Sequence, residues 1–200
     1  MSPTRRQLLC AAGLALPLAA CGIGGGNAPR RFTLEPLPPA PLDPADPPGS
    51  VAIALPRSLQ NLDATRIAYS PDRRETQYYA GADWIDRPPE MLRMLMIRSF
   101  QNRTRTLATA ADLPGPGGEF LLSSILQDFQ AEKHGAEVTA HVTIVVTLAR
   151  MARRQDSRTK MLEARQAASD DRIESVVAAF DGATQSVLAD LLAFVSEGMR

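Results

Sequence analysis

The chain has 200 residues with 22 basic and 22 acidic side chains. It therefore lacks the excess of basic residues that would indicate a nucleic-acid partner. Its only two cysteines, Cys10 and Cys21, lie near the N-terminus. The rest of the chain therefore has no thiol for a disulfide, a thiolate metal site or a cysteine nucleophile.

The first 20 residues have the order of features that is typical of a bacterial export signal. Arg5 and Arg6 form a positive segment, and residues 8–17 are apolar but too short to span a bilayer, which needs about 20 apolar residues. Small residues then precede Cys21 in a lipobox, the pattern at which exported proteins are lipidated on cysteine. The lipobox consists of Leu18, Ala19, Ala20 and Cys21.

Signal cleavage between Ala20 and Cys21 would leave a mature chain whose first residue is lipidated, and this covalent lipid is the only cofactor that we predict. Gly22, not aspartate, follows Cys21, which by the enterobacterial sorting rule favours the outer membrane. Residues 4–9 (TRRQLL) also resemble a twin-arginine signal, so Sec and twin-arginine export both stay open. A buried N-terminal helix of a cytosolic domain is the alternative interpretation.

Residues 21–49 are rich in glycine and proline and predict an extended tether. Eight of the sixteen prolines fall in this segment, and such a composition cannot bury enough apolar surface to fold alone. The ten residues from Gly22 to Arg31 would reach roughly 30 Å at about 3.3 Å per residue. Within the tether, residues 32–34 (FTL) are a candidate edge strand.

Residues 50–200 are long enough for one domain with its own hydrophobic core. Short apolar runs predict strands at 51–55, 67–69, 77–79 and 107–110. Two prolines predict the start of a helix at residue 88, and Trp84 is expected to cover its first turn. Its apolar residues recur at helical spacing and predict a core face, although a methionine-rich binding groove is the alternative. They are Met91, Leu92, Leu95 and Phe100.

Two long alternating strands follow a turn rich in glycine and proline. In the first, a bulge near residues 127–128 would return Phe129 to the apolar face. The second alternates cleanly and predicts an antiparallel strand with one wet face. Its apolar side consists of Val138, Ala140, Val142, Ile144, Val146 and Leu148, and its polar side of Glu137, Thr139, His141, Thr143 and Thr147.

The chain closes with a third strand, predicted at 161–167 after a polar turn at 153–158, and a helix from about Asp170 with Ser169 as its N-cap. The whole pattern predicts an α+β fold in which two α-helices pack on one face of one mostly antiparallel β-sheet.

Catalytic groups that could converge are scarce. His134 falls in a hairpin turn and His141 on the polar face of a strand, so we interpret both as solvated. A triad of His141 with Ser123 or Ser124 is conceivable, but no Gly-x-Ser-x-Gly elbow is present. The chain is therefore predicted not to be an enzyme and to bind no metal.

A group of arginines at a predicted hairpin end is the candidate binding surface. Such a group would contact phospholipid headgroups or an acidic partner, and a solvated turn is the alternative. The candidate contact residues are Trp84, Arg150, Arg153 and Arg154, with Arg158 nearby.

Taken in order, several short segments resemble the ABC-type transport auxiliary lipoprotein family, the group that contains the PqiC/YmbA-type lipoproteins. The resemblance covers nearly all of the mature chain, and the order and spacing of the segments carry it. The segments are the lipobox, 32–34 (FTL), 51–56 (VAIALP), Leu62-Asp63, Ile67, Tyr69, Tyr78-Tyr79, Trp84 with its apolar helix, the strand ending at Phe129, and the C-terminal helix.

The resemblance implies a periplasm-facing lipoprotein of the outer membrane that works with an MCE-type ABC transporter. Its partners would be an MCE-domain protein and the permease and ATPase complex, which move phospholipids or other hydrophobic molecules across the cell envelope. The family offers no catalytic residues to carry over. The alternative function is an outer-membrane assembly or structural lipoprotein not tied to a transporter. An exposed methionine or aromatic face would favour a homo-oligomer.

Overall fold

The computed structural model describes residues 28–72, 74–112 and 118–200, with the backbone alone for residues 153–155. These ranges form a large mixed sheet and two long helices. In chain order the elements are β1 (Arg30–Phe32), β2 (Gly49–Ile53), β3 (Arg57–Ser58), a 3-10 helix (Gln60–Leu62), β4 (Arg66–Ser70), β5 (Gln77–Trp84), α1 (Pro88–Arg103), β6 (Thr106–Ala110), β7 (Phe120–His134), β8 (Glu137–Arg150), β9 (Arg153–Ala167) and α2 (Ile173–Met199).

Strand β7 organises the sheet. Along one edge it pairs with β2, β3 and β4, which are all parallel to it and follow one another along its length. Along the other edge it pairs antiparallel with β8, and β8 pairs antiparallel with β9. Strand β6 extends the sheet beyond β2, while β5 and then β1 extend it beyond β4. The edge strand expected at 32–34 thus spans Arg30–Phe32.

The prediction of a mostly antiparallel sheet is wrong, because the sheet is mixed. Alternation along a strand identifies its buried face but not the direction of its neighbour. The parallel contacts join residues that lie far apart in sequence: Val51 pairs with Phe120, and Tyr69 pairs with Ala131. Parallel pairs require a long crossover, and no local pattern in the sequence specifies one.

The helices and the inner face of the sheet share one hydrophobic core. The predicted bulge is confirmed by a register shift between Leu126 and Asp128, which places Phe129 in the core. There Phe129 meets Trp84, the last residue of β5, and Phe180 of α2; the three ring centroids lie 5.0 to 5.5 Å apart. The predicted core residues of α1 and the apolar side of β8 are buried as well.

Helix α2 is the C-terminal helix that the apolar stripe predicts, but it begins at Ile173. The N-cap is Arg172, which makes no capping side-chain hydrogen bond, so the predicted cap at Ser169 is wrong. Ser169 instead hydrogen-bonds to Ser175, and the Asp170 carboxylate accepts the backbone N–H of Arg172, so both residues belong to the turn before the helix.

Helix α2 is long and apolar enough to cross a membrane, and no other helix in the described ranges is. Half of its most apolar window is buried within the domain, however, and α2 contacts β8 and β9. These contacts are those of a core helix of a folded domain.

Proline-rich residues ahead of β2 lie along the domain surface. The side chains of Leu34 and Leu37 are 3% and 6% exposed, so both belong to the core. The backbone N–H of Leu37 donates to Ser99 Oγ at 3.0 Å, and Asn102 Nδ2 donates to the Leu37 carbonyl at 2.8 Å. The part of the chain that packs on the domain thus extends back to β1, whose first residue is Arg30. Only eight residues separate Arg30 from Cys21, and they reach at most about 29 Å when fully extended.

The burial of Tyr79, on β5, can be tested by titration. Burial raises the pKa of Tyr79 from 10.0 to about 12, and its hydroxyl has no hydrogen-bond partner among the described residues. Because the unfolded chain would release this proton first, the stability that Tyr79 contributes is complete below pH 10 and is lost as the pH rises toward 12. We expect an absorbance titration to show a late tyrosine ionisation that Tyr79→Phe removes. A titration curve that Tyr79→Phe leaves unchanged at high pH would contradict the burial of this side chain.

Candidate functional site

The lipobox residues Leu18, Ala19, Ala20 and Cys21 lie outside the described residues. The structure does show where the chain joins the domain. Strand β1 begins at Arg30, whose Nη1 lies 2.5 Å from Oε1 of Glu174 in the first turn of α2. This ion pair lowers the pKa of the Glu174 carboxyl. The N-terminal end of the domain is therefore the end at which α2 begins.

Trp84, a candidate contact residue, is 1% exposed and packs against Phe129 and Phe180. Its indole ring lies inside the core, so it offers no surface for a partner in this structure.

The candidate arginines lie where β8 turns into β9. Arg150 ends β8 and Arg153 begins β9, so the predicted polar turn at 153–158 is part of a strand instead. Met151, at the turn between them, is 42% exposed, and its backbone N–H donates to the Glu119 carbonyl at 2.9 Å. We refer to Arg150, Met151, Arg153, Arg154 and Arg158 as the arginine end.

Two arginines of this end lie against aromatic rings. The guanidinium carbon of Arg150 is 4.6 Å from the ring centroid of Phe120, and that of Arg158 is 5.8 Å from the centroid of Phe194. An open cavity of about 440 Å³ lies between the two arginines and is also lined by Phe120, Ser157 and one acidic residue, Asp156. Residues 150–160 hold five basic side chains and one acidic side chain, a net charge of +4.

The arginine end and the N-terminal end lie at opposite ends of α2. The last turn of this helix packs on the end of β8, since a Cβ placed on Gly198 would lie 2.6 Å from Leu148 Cδ2. Between Glu174, beside Arg30, and Gly198 the helix rises by 24 residues at about 1.5 Å each, or about 36 Å.

His141 belongs to a buried polar cluster, so the prediction of a solvated histidine on a wet face is wrong. Its ring is 6% exposed, and Nδ1 lies 3.1 Å from Glu132 Oε1 while Nε2 lies 3.0 Å from Glu163 Oε1. Arg165 bonds both carboxylates, and the pKa of Glu163 is lowered first by that bond and then by His141. Side chains from the neighbouring strands β7 and β9 thus bury His141 on a face of β8 that alternation alone predicts to be wet.

The cluster does not form the conceivable triad. Ser123 pairs across the sheet with Thr147, six residues along β8 from His141, which corresponds to about 20 Å at the usual strand rise. Ser124 has a buried hydroxyl without a partner among the described residues, and His134 is exposed at the end of β7. Among the residues that the structure describes, no group of acidic, histidine or cysteine side chains could hold a metal ion.

Removing the buried carboxylate of this cluster should destabilise the domain. Glu132 is 5% exposed and bonds both His141 and Arg165. We expect Glu132→Gln to lower the free energy of unfolding by about 1–3 kcal/mol, because the glutamine leaves its buried partners imperfectly bonded. Urea unfolding measures the change. Glu163→Gln is the matched control, and its cost should be clearly smaller because Glu163 is far more exposed; equal losses for the two variants would contradict this assignment.

Solved structures show the same fold. Protein XCC0632 from Xanthomonas campestris, of family DUF330, has a TM-score of 0.68 at 21% identity, covering 86% of this chain and 94% of that chain. An uncharacterized protein has a TM-score of 0.64 at 8% identity, covering 84% and 99%. Hypothetical protein CT253 from Chlamydia trachomatis has a TM-score of 0.50 at 11% identity, covering 76% and 98%. At these identities the likeness concerns the fold alone.

No curated protein is significantly similar to this chain in sequence. The sequence model of one family, described as the ABC-type transport auxiliary lipoprotein component, matches residues 32–191. The match runs from β1 to the last third of α2 and therefore includes nearly all of the described domain. The chain belongs to the family of ABC-type transport auxiliary lipoprotein components.

Proposed function

We propose that this protein is a lipid-anchored, non-catalytic adaptor of an MCE-type ABC transporter, on the periplasmic face of the outer membrane. The transporter would move phospholipids or other hydrophobic molecules across the cell envelope. The observation that carries the proposal is the family match over residues 32–191. The surroundings of His141 support a role without catalysis: its Nε2 lies 2.9 Å from the Thr143 hydroxyl, but both residues are buried, at 6% and 4% exposed. Ser123 lies six residues away along the register of β8.

The proposed anchor is the lipid on Cys21, and Gly22 favours retention in the outer membrane. A single acyl chain binds a membrane only marginally, with a partition constant of about 10⁴ per molar, whereas several chains anchor a protein stably. A triacylated cysteine would therefore keep the domain permanently at the membrane. Eight residues then connect it to Arg30, so the folded domain would begin within about 29 Å of its anchor.

Chemical crosslinking in cells tests the proposed partnership. With the full chain as bait, mass spectrometry should identify an MCE-domain protein or the permease and ATPase complex among the crosslinked products. A bait that carries the signal peptide and lipobox alone, fused to an unrelated periplasmic domain, is the control for proximity at the membrane. Recovery of only outer-membrane assembly proteins by the full chain would contradict the proposal and favour the assembly function instead.

A further inference from the structure

Two residues of the arginine end, Arg150 and Arg158, carry positive charge that no carboxylate of the described residues neutralises. Elsewhere arginines meet carboxylates: Arg30 pairs with Glu174, and Arg93 pairs with both Glu90 and Asp112. At the arginine end, neither Arg150 nor Arg158 forms an ion pair with any carboxylate of the described residues. Five of the eleven residues at 150–160 are nevertheless basic. The guanidinium groups of Arg150 and Arg158 are therefore available to a group outside the domain.

The contacts at this end orient the charges without neutralising them. Phe120 and Phe194 each lie beneath one guanidinium, and a contact with a ring face occupies none of the N–H groups that a bidentate carboxylate would accept from. The cavity between Arg150 and Arg158 gives such a group room to enter. Exposed Met151 adds an apolar contact of the kind that is enriched at protein interfaces together with arginine.

The position of this end favours a partner in the periplasm over the anchoring membrane. Under the proposed function, the chain between Cys21 and Arg30 keeps the N-terminal end of the domain within about 29 Å of the lipid. Helix α2 then places the arginine end about 36 Å farther along the domain from Arg30. A domain that stands on its N-terminal end therefore presents its arginines to the periplasm, where a transporter protein would be met.

We propose that the arginine end is the docking surface for a carboxylate-rich segment of the transporter's periplasmic protein. The inference rests on the proposed function and adds to it the chemistry of the partner and the face that meets it. Arg150 and Arg158 make charge-assisted hydrogen bonds to the partner's carboxylates, and Met151 packs at the rim of the contact.

Charge reversal at two sites tests the proposal with a matched control. In the full chain, Arg150→Glu with Arg158→Glu should reduce capture of the transporter protein at least about tenfold, since truncating one side of a buried charge pair commonly costs more than that. The control is Arg31→Glu with Arg66→Glu, which makes the same change of charge on exposed residues of β1 and β4. Arg66 also stacks on a tyrosine, 3.7 Å from the ring centroid of Tyr78. Capture by this control should stay within about twofold of the wild type.

The outcomes separate this inference from the proposed function. If the wild-type chain and the variant with Arg150 and Arg158 reversed capture the transporter protein equally well, the arginine end is not the docking surface. The proposed function still stands in that case. If the wild-type chain captures no transporter protein, the proposed function itself fails. Should the reversed variant unfold, shown by its thermal melting, Arg150→Gln with Arg158→Gln replaces it, with the same loss of capture expected.

Flotation with vesicles tests whether phospholipid headgroups are the ligand instead. The probe is the unlipidated full chain carrying Cys21→Ser, mixed with vesicles of phosphatidylglycerol or of phosphatidylcholine. We expect no binding that depends on Arg150 and Arg158. Binding to phosphatidylglycerol vesicles that is lost on reversal of these two arginines would overturn the proposal in favour of a membrane contact.

Discussion

Replacing Trp84 with alanine should lower the free energy of unfolding by about 3–5 kcal/mol, the range for removal of a buried aromatic ring. The indole is 1% exposed, and its ring meets Phe129 and Phe180 at centroid distances of 5.5 and 5.2 Å. Truncation removes both aromatic contacts and leaves a cavity where β5, β7 and α2 converge. Urea unfolding of the full chain, followed by circular dichroism, measures the loss.

Leu59→Ala is the control for this variant, because Leu59 is 65% exposed and packs little against the domain. Its expected effect is within about 0.5 kcal/mol of zero. A domain of this size has a total stability of about 5–15 kcal/mol, so the Trp84 variant would be close to unfolding at the lower limit. A loss below about 1 kcal/mol would show that the indole does not fill the core as described.

Replacing Cys21 with alanine should abolish both lipid labelling and membrane association. The sulfur of Cys21 is the proposed attachment point, and no other cysteine follows it in the chain. Among the residues that the structure describes, the one helix long and apolar enough to span a membrane is half buried in the α+β domain. Radioactive palmitate labelling and fractionation of cells into membrane and soluble parts measure the two effects.

The matched control is Cys10→Ala, which changes the other cysteine within the predicted signal peptide. Cys10 lies in the apolar segment, where alanine serves equally well, so labelling and membrane association should persist. Label that remains on the Cys21→Ala protein would place the lipid at another residue and remove the basis of the proposed anchor.

Sequence patterns predict the elements of this fold better than their arrangement. The alternation of β8 identifies the strand and its six buried apolar residues, since one face packs on the core. The bulge that turns Phe129 inward is visible for the same reason. The parallel neighbours of β7 are not visible, because pairs such as Val51 with Phe120 depend on the path of the intervening chain.

The surface chemistry is predictable only where it depends on one segment. The basic side chains of residues 150–160 are evident from composition, but the rings under Arg150 and Arg158 come from β7 and α2. Alternation predicts a wet polar face on β8, but Glu132 of β7 and Arg165 of β9 reach His141 from the two neighbouring strands and bury it. A charged residue on each adjacent strand is the signal that, combined with the strand register, identifies such a cluster.

The most direct test of the central claim is phospholipid exchange between the two membranes in cells that lack this protein. After a pulse of labelled lipid precursor, the account predicts an altered distribution of label between the inner and outer membranes. Expression of the wild-type chain should restore the normal distribution, and expression of the Cys21→Ala chain should not. An unchanged distribution in the deletion strain, with the partner transporter present and active, would contradict a role in lipid transport.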